Sequence, residues 1–296
     1  MRILITGASG FIGRHLVARL ASVHEVYALV RRVPAETSAN VRYIAQDLLQ
    51  PLNRANLPDR LDAIIHQAAV IDTDAVSEET PFLVNVVATW RLLHYAQATD
   101  VRTFIYASTG GIYGCGPQPF REEDAPNPMD LYSLTKAQAE LAVQAAPGDF
   151  HKVVLRYFFP YGVGTPNPIP NYVAKAVTGQ TIELLDSGGP HFNPLHIADA
   201  VEATVRCLTF EQSCTLNIAG TERTTFGEIA QLAAQRVERQ PVFRQIPVAA
   251  AIPYYRADLM ADIGRMVRVL GFEPRIELAD GIGELADNVA ADQKRA

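Results

Sequence analysis

The chain has 296 residues, a formal net charge of −6 and 48% hydrophobic residues, which suits one large globular domain or a domain with a small lobe. The acidic balance and the lack of a basic run argue against a nucleic-acid partner, and no stretch reaches the roughly 18 apolar residues that a membrane span needs. Cys115, Cys207 and Cys214 are odd in number and, like the scattered histidines, lack metal-ligand spacing, so the expectation is no metal, no secretion signal and a reduced, cytoplasmic setting.

The first predicted element is an apolar strand over residues 2–6, running straight into a glycine turn and a helix over 11–21. Gly7, Gly10 and Gly13 recur at three-residue intervals. Gly7 can make the tight turn, Gly10 lets the backbone approach a pyrophosphate, and Gly13 lets the helix pack close on the strand. The helix begins with Phe11 and Ile12, and its N-terminal amides and positive dipole end point at where phosphates would sit. In this strand–turn–helix context the spacing predicts dinucleotide binding, against the alternative of a tight turn with no ligand.

Further strands are predicted at 25–30, 41–45, 63–66, 103–107, 153–157 and 215–218, and helices at 81–98, 131–145, 170–178, 197–209 and 226–236. The strands read as near-continuous apolar runs and alternate with helices. That pattern predicts an α/β fold, a doubly wound parallel sheet covered on both faces. The regularity fades after Tyr157: residues 160–196 are rich in proline and glycine, a second irregular stretch covers 240–274, and 293–295 read as a frayed tail. We therefore expect a Rossmann domain from residues 1–160 plus about 197–222. A substrate lobe of about 161–196 plus 223–296 would close over the carboxyl edge of the sheet, where ligands of open parallel sheets bind.

Tyr132 and Lys136 lie four residues apart in a predicted helix, hence on one face. A phenol ionises near pH ~10, and a nearby ammonium lowers that value, which would make Tyr132 a usable proton donor or acceptor. An exposed helix pair is the plain alternative. The strand over 103–107 delivers Ser108 and Thr109 to its carboxyl end, where a hydroxyl can bond a substrate oxygen while Tyr132 moves the proton; turn hydroxyls are the alternative.

Taken together, these segments resemble an extended short-chain dehydrogenase/reductase of the nucleotide-sugar epimerase/dehydratase branch, over nearly the whole chain. The resemblance implies that Thr109, Tyr132 and Lys136 are catalytic. It implies cofactor contacts from Gly7, Gly10, Phe11, Ile12 and Gly13, from Asp47 and Leu48 at the adenine, and from Ala68 and Ala69 in the segment His66-Gln67-Ala68-Ala69. Ser108, Tyr132, Lys136, Tyr157 and Phe158 would complete that set. Pro81 through Leu93, with Asn85 and Thr89, resembles the family's long helix, and His196-Ile197-Ala198-Asp199 a segment opening a later one. Thr109, Phe159, Arg256 and Asp258 would contact substrate.

There are three departures. Phe159 stands where the family often has Asn, Phe192-Asn193 replaces an Arg-Asp pair, and Gly110-Gly111 replaces the Asp-Glu pair of sugar 4,6-dehydratases. The last leaves no acid or base for eliminating water. The second strand ends without the carboxylate that holds the NAD ribose, and Arg31 and Arg32 follow instead, suited to a 2′-phosphate. The expectation is NADP(H) over NAD(H), with solvated loop charges as the alternative.

The implied function is reduction of a keto-sugar nucleotide. The rivals are a nucleotide-sugar epimerase working by transient oxidation, a reductase of a non-nucleotide carbonyl compound, and a non-catalytic dinucleotide sensor. The resemblance also implies a homodimer paired through the helices at 81–98 and 131–145, with Trp90, Leu93 and Ala96 at the seam or else packed on the protein's own sheet.

Overall fold

A computed structural model describes residues 1–38, 40–71, 77–185, 189–247 and 257–295. The elements in order are β1 (Arg2–Thr6), α1 (Phe11–Leu20), β2 (Glu25–Val30), β3 (Val41–Ala45), β4 (Ala63–His66), a π-helical stretch (Phe82–Val87) running into α2 (Ala88–Ala98), β5 (Thr103–Thr109), α3 (Leu131–Ala145) and β6 (His151–Tyr157). There follow β7 (Pro160–Tyr161), α4 (Ile169–Thr178), β8 (Thr181–Leu185), β9 (Leu195–His196), α5 (Ile197–Arg206), β10 (Cys214–Ile218), α6 (Phe226–Arg236), β11 (Val242–Ile246), α7 (Gly264–Leu270) and α8 (Leu278–Arg295). The chain divides into two compact units: Met1–Ile112, Pro126–Arg156 and Val201–Leu216 form the first, and Tyr113–Ala125, Tyr157–Ala200 and Asn217–Ala296 the second.

The first unit is built on a seven-stranded sheet in the order β3-β2-β1-β4-β5-β6-β10. The pairs β2–β3, β1–β2, β1–β4 and β4–β5 are parallel. Ile3, Leu4, Ile5, Ile64, Ile65, Phe104 and Ile105 are fully buried. Burial on both faces explains why these strands carry unbroken apolar runs. The strand order reverses at β1, with β2 on one side and β4 on the other, so the glycine turn leaving β1 sits at the topological switch point, where such sheets bind ligands.

The predicted helix over 81–98 opens as a π-helical stretch before α2 begins. Leu93 and Ala96 turn into the first unit's own core, whereas Trp90 stays 39% exposed, so only the tryptophan of that expected seam is available at the surface.

In the second unit α4, α6 and α8 pack around Val173, Ala176, Ile229, Ala230, Ala233 and Ile282. The small side chains let the helices approach closely. A capping box opens α6: Thr225 accepts from the Glu228 amide, and the Glu228 carboxylate accepts from the Thr225 amide. The stretch 240–274 is more regular than expected, since it holds β11, paired in parallel with β8, and α7. The basic end at 293–295 is no frayed tail; Lys294 and Arg295 complete the last turn of α8, where cations favour the helix dipole.

Candidate active site

The turn after β1 is shaped by its glycines. Gly7 has φ +64°, and a Cβ there would stand 2.6 Å from the Ala68 amide nitrogen, so only glycine fits. A Cβ at Gly13 would collide with the Gly7 carbonyl. At Gly10 it would meet only that carbonyl, at 3.1 Å, which leaves the space over the turn open. Gly10 is also the N-cap of α1 and supplies no side-chain cap, so the helix's first amides remain for an anion.

A continuous chain of buried and half-buried hydrogen bonds runs from this turn to α3. The Ala68 amide donates to Thr6 Oγ1 at 3.2 Å, and Thr6 Oγ1 lies 2.6 Å from His66 Nδ1. His66 Nε2 lies 2.8 Å from Thr89 Oγ1, which donates its own proton to the Asn85 carbonyl at 2.6 Å. Thr89 must therefore accept from Nε2–H, which leaves Nδ1 to accept from Thr6: one neutral tautomer satisfies every partner. Burial, with Lys136 pushing the same way, holds this imidazole down at about 3. Asn85 Nδ2 donates to Thr135 Oγ1 at 2.9 Å, and Thr135 donates to the Tyr132 carbonyl at 2.8 Å. Asn85 also bonds both backbone groups of Val70. These bonds sit in the π-helical stretch, a distortion frequent at functional sites.

Asp130 caps α3, its carboxylate accepting from the Ser133 amide at 2.6 Å. This fixes the turn carrying Tyr132, and Lys136 follows one turn on. Lys136 is 1% exposed, and its Nζ stands 4.2 Å from the centre of the Tyr106 ring on β5. Among the described residues it has no ion-pair partner. The electrostatics correct the expectation of an acidified phenol. Burial, with Asp130 adding to it, pushes Tyr132 up to about 12, and burial brings Lys136 down to about 7. Desolvation of both groups outweighs the attraction expected between them. Thr109, half-buried at the end of β5, accepts from the Gly111 amide at 3.1 Å. Ser108 Oγ is buried without a hydrogen-bond partner.

A family profile described as "NAD dependent epimerase/dehydratase family" matches residues 3–219. The chain belongs to that family. It is 30% identical to the GDP-6-deoxy-D-mannose reductase of Pseudomonas aeruginosa over 250 residues, 79% of each chain. It is 26% identical to the UDP-glucose 4-epimerase of Mycolicibacterium smegmatis over 321 residues, covering 97% of this chain and 98% of that one. The solved structure of MoeE5 in complex with UDP-glucuronic acid and NAD superposes with a TM-score of 0.86 at 28% identity, over 99% of this chain and 100% of that one. The extended short-chain dehydrogenase/reductase resemblance and the doubly wound sheet both stand.

The residues fit the dinucleotide that the family's description implies: the open space at Gly10 suits a phosphate, and Ser108 offers a buried, unpartnered hydroxyl. The other expected contact residues of the first unit are spread along the carboxyl ends of its strands. Arg31 and Arg32 are exposed just after β2, with no acidic partner among the described residues. Asp47 is exposed, and its carboxylate accepts from the Leu49 amide at 3.0 Å; Leu48 is buried. Ala68 and Ala69 follow β4.

In the second unit, Tyr157 and Phe158 are buried in the core, and Phe158 tilts against Tyr113. Phe159 has φ +42°, a region that asparagine tolerates and phenylalanine rarely enters, and its ring packs 4.6 Å from that of Phe192. The Asp258 carboxylate accepts from the His191 amide at 2.8 Å. Arg256 lies outside the described residues.

The motif reading missed Thr135, Glu140 and the pairing of Arg156. The Glu140 signal was its spacing, one further turn along the face of Tyr132 and Lys136.

Proposed function

We propose that the chain is an NADP(H)-dependent ketoreductase acting on a keto-sugar nucleotide. The observation that carries this reading is the placement of Tyr132 and Lys136 one turn apart on α3, packed against the strand that ends in Ser108 and Thr109. Burial favours the protonated phenol, the form that can give a proton to a carbonyl oxygen. When bound, the nicotinamide supplies the hydride. Tyr132 delivers the proton, Thr109 orients the substrate oxygen, and Lys136 holds the cofactor ribose. Ser108, the glycine turn with Phe11 and Ile12, Asp47, Leu48, Ala68, Ala69, Tyr157 and Phe158 are assigned to the dinucleotide. Phe159, Arg256 and Asp258 are assigned to the substrate, in a lobe formed by the second unit.

Support for a nucleotide-sugar substrate comes from the reductase and the epimerase among the relatives, and from UDP-glucuronic acid in MoeE5. The NAD of MoeE5 supports a pyridine dinucleotide. Preference for NADP(H) rests on Arg31 and Arg32, whose free guanidiniums suit a 2′-phosphate. Comparing KM for NADPH and NADH tests it, and a clear NADH preference would overturn it.

The epimerase reading is favoured by the epimerase relative that spans almost the whole chain. The purified protein separates the two. A reductase exchanges its cofactor and consumes NADPH in proportion to product, whereas an epimerase retains oxidised cofactor and consumes none. A homodimer through the exposed faces of α2 and α3 and a cytoplasmic location complete the proposal.

A further inference from the structure

A buried ion pair lies one helical turn beyond Lys136. Tyr132, Lys136 and Glu140 climb one face of α3 at four-residue intervals. The Glu140 carboxylate takes three bonds from Arg156 of β6: from Nε to Oε1 at 3.1 Å, from Nε to Oε2 at 3.2 Å and from Nη2 to Oε2 at 2.7 Å. The two side chains are 4% and 6% exposed. A buried pair of this kind seldom stabilises more than apolar residues of the same volume would, so its presence beside a buried ammonium points to a role beyond packing.

We propose that Glu140 and Arg156 form a positioning pair for Lys136. The carboxylate, clamped by the guanidinium, sets a fixed negative charge one turn from the ammonium that stands over the Tyr106 ring and favours its charged form. This rests on dinucleotide binding by the first unit.

The titratable and charged groups around Lys136 are Tyr132 and Glu140 on its own helix, Tyr106 on β5, His66 on β4 and, through Glu140, Arg156 on β6. His66 is neutral and offers no countercharge. Burial lowers the proton affinity of Lys136, and Glu140 acts against it. The guanidinium fixes both carboxylate oxygens, so the countercharge cannot swing away from the helix face.

The test is equilibrium binding of NADPH, followed by its fluorescence from about pH 6 to about pH 9. The variants are Glu140→Leu combined with Arg156→Met, Lys136→Met, all three together, and Arg156→Lys alone. The double variant replaces the pair with apolar groups of similar size, a change that buried pairs commonly survive. In the unaltered protein affinity should fall as rising pH removes the ammonium. In the double variant the fall should begin about one pH unit lower, weakening binding about tenfold near pH 8 with recovery near pH 6. Arg156→Lys, which keeps the carboxylate and a cation but cannot fix both oxygens, should fall between the unaltered and double-variant curves; a curve identical to that of the double variant would overturn the role of the carboxylate. Lys136→Met should flatten the curve, and adding the double substitution should change nothing more. A double variant whose pH curve coincides with that of the unaltered protein, or an equal loss on the Lys136→Met background, overturns the positioning role alone. An unaltered protein that binds neither NADPH nor NADH at any pH overturns dinucleotide binding, and this proposal with it.

Discussion

In the proposed reaction Tyr132 carries the chemistry through one proton, given to the carbonyl oxygen. Tyr132→Phe keeps the ring and removes only the hydroxyl. We expect kcat to fall by about 10²–10⁴-fold with NADPH affinity retained, read by steady-state kinetics beside a binding titration. The tyrosine and lysine were legible from their spacing. Their proton affinities were not, because desolvation depends on the whole packed environment rather than on neighbours in sequence: burial sends Tyr132 up to about 12 and Lys136 down to about 7. His66 follows the same logic. Its ordinary value of 6.5 drops to about 3 in the fold, so between those values the unfolded chain binds a proton that the folded chain refuses. Its contribution to stability is full above about pH 6.5 and is lost as pH falls toward about 3. In urea melts at stepped pH, His66→Gln should lose part of this acid-side slope; an unchanged slope would rule out His66 as its source.

Elements were legible to the extent that their patterns were local. Strands β1, β2 and β4 matched their predicted bounds because strands buried on both faces carry near-continuous apolar runs, and β3 matched too, although it lies at the sheet edge with only Val41 buried. The strand β11 was hidden because most of its residues are exposed and give no apolar signal. The π-helical opening of α2 was hidden for a different reason: it depends on Asn85 reaching Val70 and Thr135 across the fold. The capping box of α6 is a local device with a measurable worth. Thr225→Ala should destabilise the protein by about 1 kcal/mol, read as a lower urea midpoint with unchanged cofactor affinity. A loss of cofactor affinity instead would mean that this cap does more than start a helix.

At the scale of the molecule, the N-terminal glycine turn and the alternation of strands and helices led to the doubly wound sheet. The proposed substrate contacts Phe159, Asp258 and Arg256 come from the resemblance alone, because pocket shape is set by packing rather than by a local pattern. Trp90, Leu134 and Leu141 are exposed by 39%, 38% and 65% on α2 and α3, the faces proposed to pair two copies. Light scattering should give twice the chain mass. Trp90→Ala with Leu141→Glu should give monomers that keep their fold by circular dichroism; a monomeric unaltered protein would reject the pairing.

The central step proposed is delivery of a hydride from the nicotinamide and a proton from Tyr132 to one carbonyl. NADPH deuterated at the transferring position of C4, supplied with a panel of keto-sugar nucleotides and followed by mass spectrometry, tests this directly. We predict one deuterium in the product for each NADPH consumed, and labelling slowed by about 10²–10⁴-fold when Tyr132 is replaced by phenylalanine. Conversion of a nucleotide sugar with no deuterium gained and no NADPH consumed would contradict the reductase, as would undiminished labelling by the Tyr132→Phe variant.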